Sequence, residues 1–264
     1  MRSAVLSVLA AGLLWAPAFA QEQTADVEWR PEVAAPAYAA DGPLVRVDEA
    51  HGSVQTIDGR YAGFAALARA DGYVVDAGRT RLDAPGALDD VSVLVISNPA
   101  SPPEGSGRTS AFNEAEIEAI AYWVQAGGSL LLAADHAPHG AAAEALAARF
   151  GVEMGKGYLF QLTGRRPTTN LSYPRGALAD HPIITGRDPS ESVETVKVFT
   201  GQSLKGPAGS IILIATSADA YETPDLATLQ RLDERLDAGE PAEVVIARLA
   251  RPALPAQGVA FSFG

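Results

Sequence analysis

Three of the four histidines in this chain fall in two short polar clusters, Asp48-Glu49-Ala50-His51 and Asp135-His136-Ala137-Pro138-His139. Imidazole titrates near neutral pH and can both donate and accept a proton, and a neighbouring carboxylate can orient it or share that proton. Three kinds of chemistry fit such clusters. Imidazole with carboxylate is a reasonable ligand set for zinc or another divalent ion, built on Asp135, His136 and His139 and completed by Asp48 and His51. The same five residues could carry acid–base catalysis, or hold a small polar ligand without a metal. They could also form a purely structural hydrogen-bond network. Asp-His-x-x-His lacks the helical His-Glu-x-x-His form, so spacing alone leaves all three open.

Other polar residues are candidates for the same crevice. Glu49 lies inside the first cluster, Asn98 follows a predicted strand, and Phe199-Thr200-Gly201-Gln202-Ser203 could bring the Gln202 amide and the Ser203 hydroxyl to a strand end. Thr169-Asn170 is a weaker case of the same kind. Gly201-Gln202-Ser203-Leu204-Lys205 misses the Gly-x-Ser-x-Gly nucleophile elbow at its last position, which makes Ser203 a weak nucleophile candidate. Gly155-Lys156-Gly157 does not extend to a phosphate-binding Gly-x-Gly-x-x-Gly, since Phe160 occupies the last glycine position. His181, before Pro182, reads as a turn residue.

The elements that must position these groups follow from apolar periodicity. Leu44–Val47 reads as a strand, Arg60–Ala70 as a helix, and Tyr73–Val75 and Val91–Ile96 as further strands. Val91–Ile96 is almost continuously apolar, as expected of a strand covered on both faces. Asn113 with Glu116 three residues later forms a capping-box signature for a helix whose inner face is Ile117, Ile120, Ala121 and Val124, stopped by Gly127-Gly128. Ser129–Ala134 is the next strand and Ala141–Phe150 the next helix. This order predicts an α/β fold with an open, mostly parallel sheet and helices on both faces. In such sheets ligands bind outside the carboxyl ends of the strands, where Asp48–His51, Asn98 and Asp135–His139 all fall. Later, Val193–Phe199 and Ile211–Ala215 read as strands, and Thr223-Pro224 opens a helix carrying Leu226, Leu229, Leu232 and Leu236.

The first residues carry a different signal. Arg2, an apolar stretch from Ala4 to Trp15, Pro17 and Ala18-Phe19-Ala20 have the form of a secretory signal, which predicts cleavage after Ala20 and a periplasmic or secreted protein. The apolar stretch is too short for a bilayer span, which needs about 20 residues. Residues 21–43, with Pro31, Pro36 and Pro43, read as an extended lead-in pinned by Trp29 and Tyr38, and residues 44–264 as a single domain. The net charge of −12, about −13 once Arg2 is removed, disfavours nucleic acid as a partner. The chain has no cysteine, which excludes thiol nucleophiles, thiolate ligands and disulfides.

Several of these segments together resemble a family. Val47-Asp48-Glu49-Ala50-His51, the Gly-Gly-Ser-Leu-Leu-Leu run into Asp135-His136-Ala137-Pro138, Phe150-Gly151, His181-Pro182-Ile183 and Phe199–Ser203 look like an uncharacterised bacterial family with a class I glutamine amidotransferase-like fold. The resemblance covers roughly residues 27–220. It implies that fold, also described as flavodoxin-like, and no particular activity. Glutamine amidotransferases place a cysteine on the sharp turn that corresponds to Asp135–Gly140, so thiol-based glutaminase chemistry is excluded here. The family pattern has a further Asn and His where this chain has Ser53 and Gln55. After about Asp219 relatives continue through another strand and helix, whereas this chain runs into Arg251-Pro252-Ala253-Leu254-Pro255, which predicts an atypical or truncated end over residues 220–264. The leading expectation is an exported protein binding a small polar molecule at the strand ends. The rivals are a metal-dependent hydrolase built on the Asp/His cluster and a non-catalytic envelope scaffold.

Overall fold

A computed structural model describes residues 25–262, so the predicted signal segment and its cleavage point lie outside the described residues. Strand β1 (Leu44–Asp48), helix α1 (Ala62–Ala70), β2 (Val74–Gly78), β3 (Val91–Ser97), α2 (Glu114–Gln125), β4 (Ser129–Ala133) and α3 (His139–Arg149) follow the order expected from periodicity. The four strands form one parallel sheet in the order β2-β1-β3-β4. Alternation along β3 explains why its sequence is apolar throughout. Val93 and Val95 face Val45, Val47 and Ala65 of α1, while Leu94 and Ile96 face Ile120 of α2 and Leu146 of α3. Helices therefore cover both faces. The crossover from β1 leads to β2 on one side, and the return to β3 passes to the other, so the connection reverses direction between β1 and β3.

Helix α2 begins as its sequence dictates. Asn113 Oδ1 accepts the Glu116 N–H at 2.9 Å, and Glu116 Oε2 accepts the Asn113 N–H at 3.1 Å. Such a cap contributes about 1 kcal/mol. Gly127 follows the last turn at φ +108°, a backbone conformation that glycine adopts without steric cost.

The expectation of a mostly parallel sheet holds only to Gly151. Beyond it come β5 (Glu153–Met154), β6 (Tyr158–Thr163), β7 (Arg166–Thr168), β8 (Asn170–Pro174), α4 (Pro182–Thr185), β9 (Thr195–Phe199), β10 (Leu204–Lys205), β11 (Ile211–Ala215), β12 (Ala220–Thr223), α5 (Leu226–Asp237), α6 (Ala242–Leu249), β13 (Arg251–Pro252) and β14 (Ala256–Ala260). They pair antiparallel, in the orders β11-β14-β10-β5, β13-β12-β6-β7 and β8-β9. The physical reason is connection length. A parallel return needs a crossover of a dozen or more residues, whereas β6 and β7 are joined by Gly164-Arg165 alone, with Gly164 at φ +65°.

Residues 220–260 are integral to this half. Strand β14 lies between β10 and β11, and Leu229, Leu232 and Leu236 of α5 pack with Val245 of α6 on Phe160. Helix α5 starts two residues later than Pro224 suggested: Thr223 ends β12, Asp225 is the cap, its Oδ1 accepting the Thr228 N–H at 2.6 Å, and Leu226 is the first helical residue. The two halves meet where Ala143 and Ala147 of α3 pack on Met154 and Leu204.

Candidate functional site

The loops after β1, β3 and β4 lie side by side. Asn98, at φ +45°, starts the β3 loop, and its Oδ1 accepts the Asp135 N–H at 2.7 Å. Its neighbour Pro99 accepts a hydrogen bond through its carbonyl from His139 Nδ1 at 3.2 Å, and Ala100 donates its N–H to the His51 carbonyl at 2.9 Å. The β3 loop is thus the bridge between the two histidine clusters, and Asn98 acts as a brace.

The first cluster is closed. His51 Nδ1 stands 2.8 Å from Asp48 Oδ2, and its Nε2 3.0 Å from Glu116 Oε1. Both carboxylates are 2% exposed, and the ring leans on Phe112 with centroids 4.4 Å apart. Carboxylates accept, so a ring that satisfies both carries both its protons. Burial by itself lowers the His51 pKa, but the hydrogen bonds and charges of Asp48, then Glu116, outweigh it and hold the pKa above the ordinary imidazole value. Glu116 also accepts the Leu82 N–H at 3.4 Å, and Arg81 approaches it at 3.9 Å. The two carboxylates lie on opposite edges of one ring and do not converge on a point where an ion could sit. Asp48 and His51 are therefore not available to complete a metal set with His136 and His139.

Glu49, expected to touch ligand, is likewise engaged: it accepts the Ile57 N–H at 2.9 Å and the Arg79 Nε–H at 3.1 Å. Ser53 and Gln55 are buried and bonded to one another, the Ser53 hydroxyl donating to Gln55 Oε1 at 2.9 Å.

The second cluster is open. His136 Nδ1 lies 2.7 Å from the Ala137 carbonyl, which can only accept, so Nδ1 carries the proton and Nε2 presents a lone pair when the ring is neutral. His139, bonded through Nδ1 to Pro99, presents Nε2 in the same way. Neither Nε2 has a hydrogen-bond partner among the described residues. The His136 side chain is 26% exposed and that of Asp135 39%, with Asp135 Oδ2 3.9 Å from His136 Nε2. Tyr158 stacks on the His136 ring with centroids 4.3 Å apart and planes 17° apart, and its hydroxyl donates to the Ala137 carbonyl at 3.3 Å. The peptide between Ala137 and Pro138 is cis. Among the described residues no group of three His, Asp or Glu side chains is placed to hold a metal ion.

Gln202 supports this loop from beneath, and neither it nor Ser203, both buried, lines it. Gln202 Nε2 donates to the Ala134 carbonyl at 3.1 Å and its Oε1 accepts the Lys156 N–H at 2.9 Å. Ser203 is fully buried; its hydroxyl accepts the Leu254 N–H at 2.8 Å, and its own N–H donates to Glu222 Oε1 at 2.5 Å. A nucleophilic role for Ser203 is inconsistent with that burial. Glu222, 1% exposed, is neutralised by Arg251 at 2.9 Å. His181 caps α4, its Nδ1 accepting the Ile183 N–H at 3.2 Å, as a turn residue would. Thr169 and Asn170 belong to the backbone ladder around β8, where Asn170 pairs with Phe199.

Sequence reading missed two residues here. Glu116 carried a capping-box signature that fully accounted for it, and nothing in the sequence tied it to His51, 65 positions away. Tyr158 stands at the head of a strand in the antiparallel half and had no polar neighbours to mark it.

No protein-family profile matches the chain, and no curated protein matches it. A solved structure described as "mmIFT52 N-terminal domain" superposes with a TM-score of 0.52, over 67% of this chain and 74% of that one, at 12% identity. A likeness at that identity speaks to fold alone.

Proposed function

We propose that this chain is an exported protein, periplasmic or secreted, that binds a small polar ligand at the carboxyl ends of β3 and β4 through His136, His139 and Asp135. The observation that carries the reading is the pair of partly exposed imidazoles whose Nδ1–H groups are tied to backbone carbonyls, leaving Nε2 of each without a hydrogen-bond partner among the described residues. Such rings are oriented before any ligand arrives, so binding loses little rotamer entropy. Their lone pairs and the Asp135 carboxylate accept hydrogen bonds, which selects a ligand rich in O–H or N–H donors, such as a polyol, sugar or amine. Tyr158 adds an aromatic wall.

The strand order β2-β1-β3-β4, with its reversal between β1 and β3, supports a flavodoxin-like or class I glutamine amidotransferase-like reading of the parallel half. The family resemblance carried by Val47–His51 and Asp135–Pro138 supports the same assignment. With no cysteine, whatever the Asp135–Gly140 turn does is not thiol chemistry.

The test is a calorimetric screen of polyols, sugars, amino acids and amines against the purified chain. His136→Ala and His139→Ala are each expected to weaken a hit by about tenfold, the equivalent of about 1.4 kcal/mol. Unchanged binding in both variants overturns the reading. A second reading, a metal-dependent hydrolase, has one observation in its favour: imidazoles whose Nδ1–H is held by a carbonyl are the form in which histidine ligates metals. It lacks a third protein ligand among the described residues. Metal content below about a tenth of an equivalent in untagged protein, with no thermal shift on adding zinc or manganese, removes it, since saturation at 100 times Kd gives about 2.7 kcal/mol.

A further inference from the structure

The opposite end of the parallel sheet carries a feature that the proposed site does not use. An open depression of about 620 Å³ lies where β1, β3 and β4 begin, lined by Tyr38, Tyr73, Trp123 and Asp90 and by the Ala126–Gly128 turn that ends α2. Its volume is within the range of small-molecule sites.

Three independent features of its wall have the same electrical sign. Asp90 is the only charged residue among the described residues that line it, and it is exposed and takes no hydrogen bond or ion pair from any described residue. The turn Ala126–Gly128 is the carboxyl end of a twelve-residue helix, where the macrodipole places about half a negative charge, and the last turn of α2 carries no basic residue to offset it. The wall also carries the aromatic side chains of Tyr38, Tyr73 and Trp123, a residue type whose π systems attract cations. Among the described residues no lysine, arginine or histidine lines the depression, and Arg187, whose charge reaches Tyr73, is itself paired with Asp71 and Glu191.

The rings are also fixed. Trp123 donates its indole N–H to the Val91 carbonyl at 3.2 Å, and Gly128 lies so close that a Cβ there would stand 2.2 Å from the ring. Tyr38, from the lead-in, meets Tyr73 edge-on with centroids 4.9 Å apart. Asp90 sits at φ +57°, a conformation that aspartate and asparagine tolerate better than most residues.

We infer that this depression is a second binding site, for a small organic cation: an alkylated ammonium whose apolar substituents pack on the aromatic rings while its charge faces Asp90 and the end of α2. Aromatic rings with a carboxylate recognise such cations because the charge is spread over methyl groups and is only weakly hydrated.

Tetramethylammonium is the discriminating probe, because it has no N–H or O–H to offer the open Nε2 atoms of His136 and His139. Calorimetry or proton NMR titration of the full chain is expected to show saturable binding of tetramethylammonium, at least about tenfold tighter than that of tert-butanol, a neutral molecule of similar size. Asp90→Asn keeps a residue suited to the same backbone conformation and is expected to weaken binding by about three- to tenfold. His136→Ala is expected to leave it unchanged, so failure of the proposed function and failure of this site are separable. Absence of saturation, equal affinity for tert-butanol, or unchanged affinity in Asp90→Asn each overturns the inference, and the tert-butanol comparison needs no variant.

Discussion

The loops after β1 and β4 use the same residue types, aspartate and histidine, and the structure puts them to opposite use. In the first, every polar atom of the His51 ring faces a buried carboxylate, Asp48 on one edge and Glu116 on the other. In the second, His136 and His139 spend one nitrogen each on a backbone carbonyl and keep the other open. Residue type sets what a side chain can do, but burial and partners decide whether any capacity is left for a ligand. The comparison predicts that variants in the first loop act on stability and variants in the second on binding.

The largest expected effect is in the first loop. Asp48→Ala leaves a buried imidazolium with one partner instead of two, and breaking a buried ion pair in this way costs about 3–5 kcal/mol. For a domain of this size that corresponds to a fall of about 6–20 °C in Tm, measurable by differential scanning calorimetry. A loss under about 1 kcal/mol would show that the network is not closed. The pH dependence has a defined sign. Because the folded-state pKa of His51 is raised, its contribution to stability is fully present below its unfolded pKa of ~6.5 and is lost as pH rises through the folded value. Urea unfolding across that interval, compared between the wild type and His51→Asn, is expected to show the difference shrinking as pH rises. A difference that grows instead would reverse the assignment of Asp48 and Glu116 as partners of a charged ring.

An intermediate effect is expected beneath the second loop. A Cβ at position 140 would stand 2.2 Å from Gln202 Oε1, and Gln202 is pinned by the Ala134 carbonyl and the Lys156 N–H. Gly140→Ala therefore gains up to about 1 kcal/mol of helix propensity and loses more to overpacking, for a net destabilisation of about 1–2 kcal/mol. Stabilisation on chemical denaturation would mean that Gln202 is free to move.

How much of this was legible in the sequence differs between the two loops for a physical reason. Strand-end position follows from local apolar periodicity, so Asp48–His51 and Asp135–His139 could be placed at the same edge of a parallel sheet. The capping box at Asn113 and Glu116 is equally local and formed as read. Saturation is not local. The partner that closes the first loop comes from α2, and Glu116 already had a complete explanation at its own helix end. The antiparallel half was obscure for a related reason. Its strands are short, β5, β10 and β13 having two residues each, and what stabilises them is pairing across long separations such as Ile211 with Ala260. Near the end of the chain Arg251 bonds buried Glu222 and the residues beyond it supply the interior strand β14, pairings that no local pattern marks.

A small effect on stability, expected in the second loop itself, is also the sharpest test of the comparison. His136→Ala removes a ring that is 26% exposed, stacked on Tyr158 and bonded once to a backbone carbonyl that Tyr158 also serves. The lost hydrogen bond and stacking are each worth about 0.5–1.5 kcal/mol, and water can replace the former because the site is open. A net loss of about 1 kcal/mol is expected on urea unfolding, well below that of Asp48→Ala. Tyr158→Phe keeps the stack and should cost less still. If His136→Ala proved as destabilising as Asp48→Ala, the second loop would be structural in the same sense as the first, and its open nitrogens would carry no argument for a ligand.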